Sequence, residues 1–131
     1  MMDENVLEQL IGCWQSEGWD FIFGEQVELI PFVSETLTDI GAADILAAFE
    51  KVIACFPEGT VFENTSKYYD LYNFMQIYSY KVQDEKLKAI PTEQRRALIK
   101  QFRSAIDELE EITAKHWNNR VCDSFSVNKI S

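Results

Sequence analysis

Between Gly41 and Pro57 the chain places Ile45, Leu46, Phe49, Val52, Ile53 and Phe56 at the three- and four-residue spacing of one helical face. This stripe predicts a helix over 42–56. Gly41 is available for a left-handed corner before it, and Pro57 with Gly59 closes it. A helix with so wide an apolar face must bury it against other elements. The segment just upstream supplies a partner: Pro31 suits the first turn of a helix, and Phe32, Val33, Leu37 and Ile40 form its inward side. The link between the two helices is short, so they are expected to form an αα-hairpin over about 31–56.

The remaining stretches read the same way. Val6, Leu7, Leu10, Ile11 and Trp14 predict a helix from about Asp3 to Ser16, with Asp3 and Glu4 in the first turn, where the backbone dipole favours negative charge. Gly18 then allows a corner. Trp19, Phe21 and Phe23 alternate with the period of a strand, but no strand partner lies nearby, and a tight helical turn is preferred. These aromatics are read as core and not as a ligand box. Residues 24–29 are expected to be loop, and 58–65 an exposed connection.

Asn64, Thr65 and Ser66 offer N-caps for a helix over about 67–80. Its tyrosines leave a strand as the rival reading. Pro91 and Thr92, with Thr92 as cap, start the longest helix, whose seam is Leu98, Phe102, Ala105, Leu109 and Ile112, widened by Ile99 and Ile106. It is expected to end near Trp117–Asn119, so that it covers about 92–118, with 120–131 as a loose tail. The expectation is a single compact all-α multi-helix domain.

Composition narrows the function classes. The 131 residues are 47% apolar and 13% aromatic, the make-up of a globular chain with one core. No apolar run approaches the ~20 residues of a membrane span. The N-terminus lacks the basic region of a signal peptide, and Cys13, Cys55 and Cys122 lack C-x-x-C spacing. A soluble, cytoplasmic protein with reduced thiols is expected.

The charge is divided along the chain. Residues 1–63 carry thirteen acids and one base, Lys51, for a net charge of −12; residues 64–131 carry nine acids and eleven bases, for +2. Such polarity attracts basic proteins and disfavours nucleic acid and anionic membrane as direct partners.

Catalytic and metal motifs are missing. The one histidine, His116, lies near the expected end of the last helix, where the dipole favours it on a surface, and no nucleophile motif joins it to a cysteine. The chain has no four-ligand zinc spacing, calcium loop, Glu-x-x-His pair or phosphate-binding glycine loop. No catalytic residue, cofactor or metal is therefore expected.

The carboxylates themselves remain. Glu4 with Glu8 and Glu35 with Asp39 are like-charge pairs one helical turn apart, each costing a few tenths of a kcal/mol in an isolated helix. Rows of carboxylates can occupy a lysine and arginine array built for duplex DNA, which presents one charge per ~1.7 Å of axis. A solvated acidic face that serves solubility explains the pairs almost as well. On the charge argument alone, the partner-binding candidates are Glu25, Glu28, Glu35, Asp39, Asp44, Glu50, Glu58 and Glu63.

The block Gly18-Trp19-Asp20-Phe21-Ile22-Phe23, then Ile40-Gly41-Ala42, then the helix ending Phe56-Pro57, resembles the bacterial DNA-mimic protein family numbered nineteen. Ile106-Asp107-Glu108-Leu109-Glu110 is similar to that family's acidic C-terminal helix. The chain departs from the pattern in reading Ser16-Glu17-Gly18 where the family shows Asn-Gly-Gly, and in its mildly basic second half. The resemblance implies an all-helical domain that self-associates, as a homodimer, and docks through an acidic face on DNA-binding proteins such as helix-turn-helix regulators. It carries over no binding residue. The leading expectation is a non-enzymatic acidic interaction protein. An immunity or antitoxin-like protein that neutralises a basic toxin is the alternative, followed by a helical domain without mimicry and by an enzyme using His116 or Cys13.

Overall fold

In the computed structural model, the backbone is described for residues 4–76 and 81–130, and the side chains for 7–76 and 81–117. Among the described residues seven α-helices follow in order: α1 (Glu4–Glu17), α2 (Trp19–Glu25), α3 (Ile30–Asp39), α4 (Ala43–Ile53), α5 (Ser66–Phe74), α6 (Glu85–Lys88) and α7 (Thr92–Ile130). A 3-10 turn over Val27–Leu29 joins α2 to α3. The described residues contain no strand: Trp19–Phe23 is helical, and so is the second aromatic stretch as far as Phe74. None of the described helices is long and apolar enough to cross a membrane.

The hairpin of α3 and α4 forms as its spacing predicts. At the end of α3, Gly41 has φ 73°. Its N–H donates to the Thr38 carbonyl at 3.1 Å, and that of Ala42 donates to Leu37 at 2.9 Å. These two bonds are a Schellman closure, and they use carbonyls the helix leaves over. Ile45, Ala48, Phe49 and Val52 of α4 are buried, and Cys55 and Phe56 extend the stripe into the turn after it. The face packs along α7, whose 39 residues span roughly 58 Å at ~1.5 Å each. Phe102, Ala105, Ile106, Leu109, Thr113 and Trp117 are the buried line of α7.

An aromatic column runs through the centre. Ring centroids are 5.4 Å apart for Trp14–Trp117, 6.3 Å for Trp117–Trp19 and 6.3 Å for Trp19–Phe23. The column continues from Phe23 to Phe56 at 6.0 Å, Phe56 to Tyr68 at 6.1 Å, and Tyr68 to Tyr72 at 6.0 Å. Each such pair contributes about 0.5–1.5 kcal/mol beyond the area it buries.

Several boundaries differ from the sequence expectation. The stretch 24–29 is not loop: α2 continues through Gly24 to Glu25, and the 3-10 turn buries Val27 and Leu29. Gly24 lies within α2 with the Tyr72 ring against it, about 3.4 Å from where a Cβ would stand. Phe32 does not face inward. The inner line of α3 is Ile30, Val33 and Leu37, and Phe32 lies off it, 50% exposed. Thr65 is the cap of α5, accepting from the Tyr68 N–H at 3.2 Å. Helix α5 ends at Phe74; the expectation for 77–80, including Tyr78 and Tyr80, lies outside the described residues, as does the inward placing of Val6.

Helix α6 has no counterpart in the sequence reading; Asp84 caps it by accepting from the Lys86 N–H at 2.8 Å. Thr92 is the first helical residue of α7 and not its cap, since the Pro91 carbonyl accepts the first bond, from Arg95. The α7 backbone continues past Asn119 to Ile130. No proline or glycine interrupts 92–130, and asparagine alone does not stop a helix. The side chains of the expected tail lie outside the described residues.

Candidate functional site

The carboxylates divide into those the fold uses and those it leaves in solvent. One group of the used ones gathers where α2 meets α7, while Asp44, Asp70 and Asp84 hold backbone amides elsewhere. Glu110 on α7 accepts from the Trp19 backbone N–H at 2.9 Å and from the Trp14 indole N–H at 2.8 Å, so one oxygen satisfies the start of α2 and a tryptophan of α1. Gly18 makes room for this contact. It has φ 85°, and a Cβ on it would stand 2.7 Å from Glu110 Oε2. Arg103 donates to both oxygens of Asp20, at 2.9 and 3.0 Å. That bond is the main cause of the upward shift of the guanidinium, with burial opposing it. The Trp19 indole N–H donates to Thr113 Oγ1 at 3.0 Å.

Arg103, Glu110 and Thr113 are spaced by seven and three residues, so they form a polar rail along one side of α7. From the other side, the Tyr68 and Tyr72 hydroxyls donate to the Phe23 and Asp20 carbonyls at 2.8 and 3.0 Å. The Gly18–Phe23 block is therefore structural; Trp19 and Phe23 are core, whereas Phe21, expected there too, is only half-buried and lies outside the core cluster.

All eight sequence-predicted partner-binding acids are exposed. Glu35 and Asp39 lie one turn apart on the outer side of α3, and Phe32, at i−3 from Glu35, shares that side. Glu28 precedes them in the 3-10 turn. Glu25 and Glu28 both act on the Tyr69 hydroxyl, whose pKa is raised by burial first and by these two carboxylates next. Glu28 also adds to the burial that raises the Cys13 thiol. The end of α2, the 3-10 turn and α3 thus each present exposed carboxylates, Glu25, Glu28, and Glu35 with Asp39, and the half-exposed Phe32 shares the outer side of α3.

The other four candidates are placed differently. Asp44 meets His116 Nδ1 on α7 at 3.0 Å, and its Oδ1 accepts from the Ile45 N–H. Glu50 stands on α4, next to Lys51, which bridges to Glu108 at 3.0 Å. Glu58 and Glu63 border a depression beside the turn that follows α4.

His116 is not at a helix end, because α7 continues beyond it. Its side chain is only 14% exposed, so the C-terminal dipole does not account for it; the carboxylate of Asp44 is its partner. Burial raises the thiols of Cys13 and Cys55, and a raised thiol is a poor nucleophile near neutral pH. Among the described residues no three His, Cys, Asp or Glu side chains form a group that could hold a metal ion. The exposed Phe32 is what sequence reading missed beside these acids. Its position between Glu28 and Glu35 was visible, but helical spacing alone assigned it inward.

Compared with known families, curated proteins and solved structures, the chain matches none. Its function has to be argued from the surface.

Proposed function

We propose that this is a non-enzymatic acidic interaction protein that docks the exposed carboxylates of α2, the 3-10 turn and α3, as one electronegative strip, on the basic surface of a DNA-binding protein, such as a helix-turn-helix regulator, in the manner of a DNA mimic. The observation that carries the reading is the contrast in how carboxylates are used. Asp20 and Glu110 are held by donors of the fold, whereas Glu25, Glu28 and Asp39 stand exposed along α2, the 3-10 turn and α3. Like charges one turn apart lower helix stability slightly. A binding role for the strip explains why they are kept together.

Phe32 adds an apolar anchor, and aromatic residues surrounded by polar groups are frequent at protein interfaces. Basic DNA-binding proteins present lysine and arginine spaced to neutralise phosphates, and a row of carboxylates can meet the same array. Raised thiols are poor nucleophiles near neutral pH, which supports a binding role over thiol catalysis.

The test is capture of a basic DNA-binding protein on the immobilised chain at low and high salt, followed by competition with duplex DNA. The expected result is retention at low salt, loss at high salt, and displacement by DNA. Equal retention at both salts would count against the reading. So would equal retention by a Glu28→Gln, Glu35→Gln, Asp39→Asn variant.

A further inference from the structure

A second acidic feature lies away from α3. After α4 the chain turns sharply at Pro57–Thr60: Gly59 has φ 85°, and the Thr60 N–H and hydroxyl both donate to the Pro57 carbonyl, at 3.1 and 2.6 Å. This turn forms one wall of a groove of about 530 Å³, and α5 and α6 form the other. Those bonds fix the turn side of the groove. Its apolar surface comes from Val61, Leu71 and Leu87, and Val61, 62% exposed, is the most exposed large apolar side chain among the described residues. Three carboxylates, those of Glu58, Glu63 and Asp84, border it against one ammonium, that of Lys67. Asp84 uses one oxygen to cap α6.

An apolar floor edged by net negative charge fits a particular ligand chemistry. Lysine and arginine side chains lay their methylene stems on apolar surface and keep their charged heads at a polar edge. We propose that this groove receives a lysine- or arginine-bearing segment of a basic partner protein, with an aliphatic side chain of that segment seated against Val61 and its cationic heads on Glu58, Glu63 and Asp84. The proposal rests on the docking reading above and adds to it a second point of attachment, which selects for an apolar residue within the basic segment. Charge alone would not make that selection.

The probe is a short fluorescein-labelled lysine-rich peptide bearing two leucines, with an otherwise identical peptide carrying glycines in their place. Both are titrated by anisotropy against the full chain and two variants. One variant alters the groove (Val61→Ser with Glu63→Gln), and the other alters α3 (Glu35→Gln with Asp39→Asn). All four positions are exposed, and circular dichroism checks that each variant folds.

The leucine peptide is expected to bind about tenfold more tightly than the glycine peptide, a difference of ~1.4 kcal/mol. The groove variant should lose that advantage, and the α3 variant should keep it within about twofold. Equal binding of the two peptides, equal loss in both variants, or no binding of the leucine peptide would overturn the groove. Loss confined to the α3 variant would overturn the groove and leave the docking reading standing. That reading fails separately, on the salt and DNA competition described above.

Discussion

The seam between α2 and α7 and the outer face of α3 use the same residue type in opposite ways. At the seam, Glu110 and Asp20 accept from Trp14, Trp19 and Arg103, and each oxygen that bonds has a donor within about 3 Å. On α3, Glu35 and Asp39 stand one turn apart in solvent beside the half-exposed Phe32. Removing a carboxylate from the seam leaves part-buried donors without their acceptor. Removing one from α3 relieves a repulsion. The difference separates acids whose bonds tie elements of the fold together from acids exposed to solvent, and the second kind is the one a partner can reach.

The largest effect should come from the seam's apolar anchor. Trp19 is fully buried between Phe23, Phe49 and Trp117. Trp19→Ala is expected to cost about 3–5 kcal/mol, read as a lower urea midpoint. Its indole N–H bond to Thr113 is lost as well. A cost below about 1 kcal/mol would mean that α2 is not the hub described here.

Next come the residues around Glu110. Glu110→Ala leaves the Trp14 indole and the Trp19 amide without their acceptor. An unsatisfied donor costs about 1–3 kcal/mol, so a loss of that order is expected in the same urea titration. Gly18→Ala should fall in the same range, because alanine is strained at φ 85° and its Cβ meets the Glu110 carboxylate. If Gly18→Ala is destabilising in the wild type but much less so beside Glu110→Ala, the two costs share one cause.

How much of this contrast was legible beforehand depends on whether a feature is local. The α4 stripe and the left-handed Gly41 were readable, because helical spacing and glycine's permissive backbone act within a few residues. The Gly18–Phe23 block could be singled out, but its meaning could not. Its partners Arg103, Glu110 and Thr113 are more than eighty residues away, and nothing in the local pattern names them. Phe32 was misassigned because an apolar residue at the margin of a stripe can fall on either side. The end of α7 was misplaced because Asn118 and Asn119 are weak stop signals without a glycine behind them. The division of the charge was legible, whereas which carboxylates the fold holds was not.

The outer face predicts the opposite sign. Asp39→Asn should leave stability unchanged or raise it by a few tenths of a kcal/mol, since its like-charge pairing with Glu35 is removed. A loss above about 1 kcal/mol would move Asp39 into the class of Glu110 and remove the contrast. The same melts performed at low and high salt sharpen the point, because salt screens exposed repulsion and should shrink any gain.

The smallest effect tests whether the strip acts as a field at all. Tyr69 has its hydroxyl pKa raised from the ordinary value of 10.0, by burial first and then by Glu25 and Glu28. Because the folded value lies above the unfolded one, the folded state keeps the phenol proton longer. This contribution to stability is present in full below about pH 10 and is lost as the pH rises through the folded value. Glu25→Gln with Glu28→Gln removes the electrostatic part and leaves the burial. The Tyr69 titration, isolated by comparison with Tyr69→Phe in ultraviolet difference spectra, should then move part of the way down toward its ordinary value. An unchanged titration would mean that the two carboxylates are too well screened to act even on a neighbouring hydroxyl. In that case they could hardly steer a basic protein from a greater distance, since screening grows with separation. A partial downward move shows a field that persists at contact range, which is the range at which docked lysines and arginines would meet it.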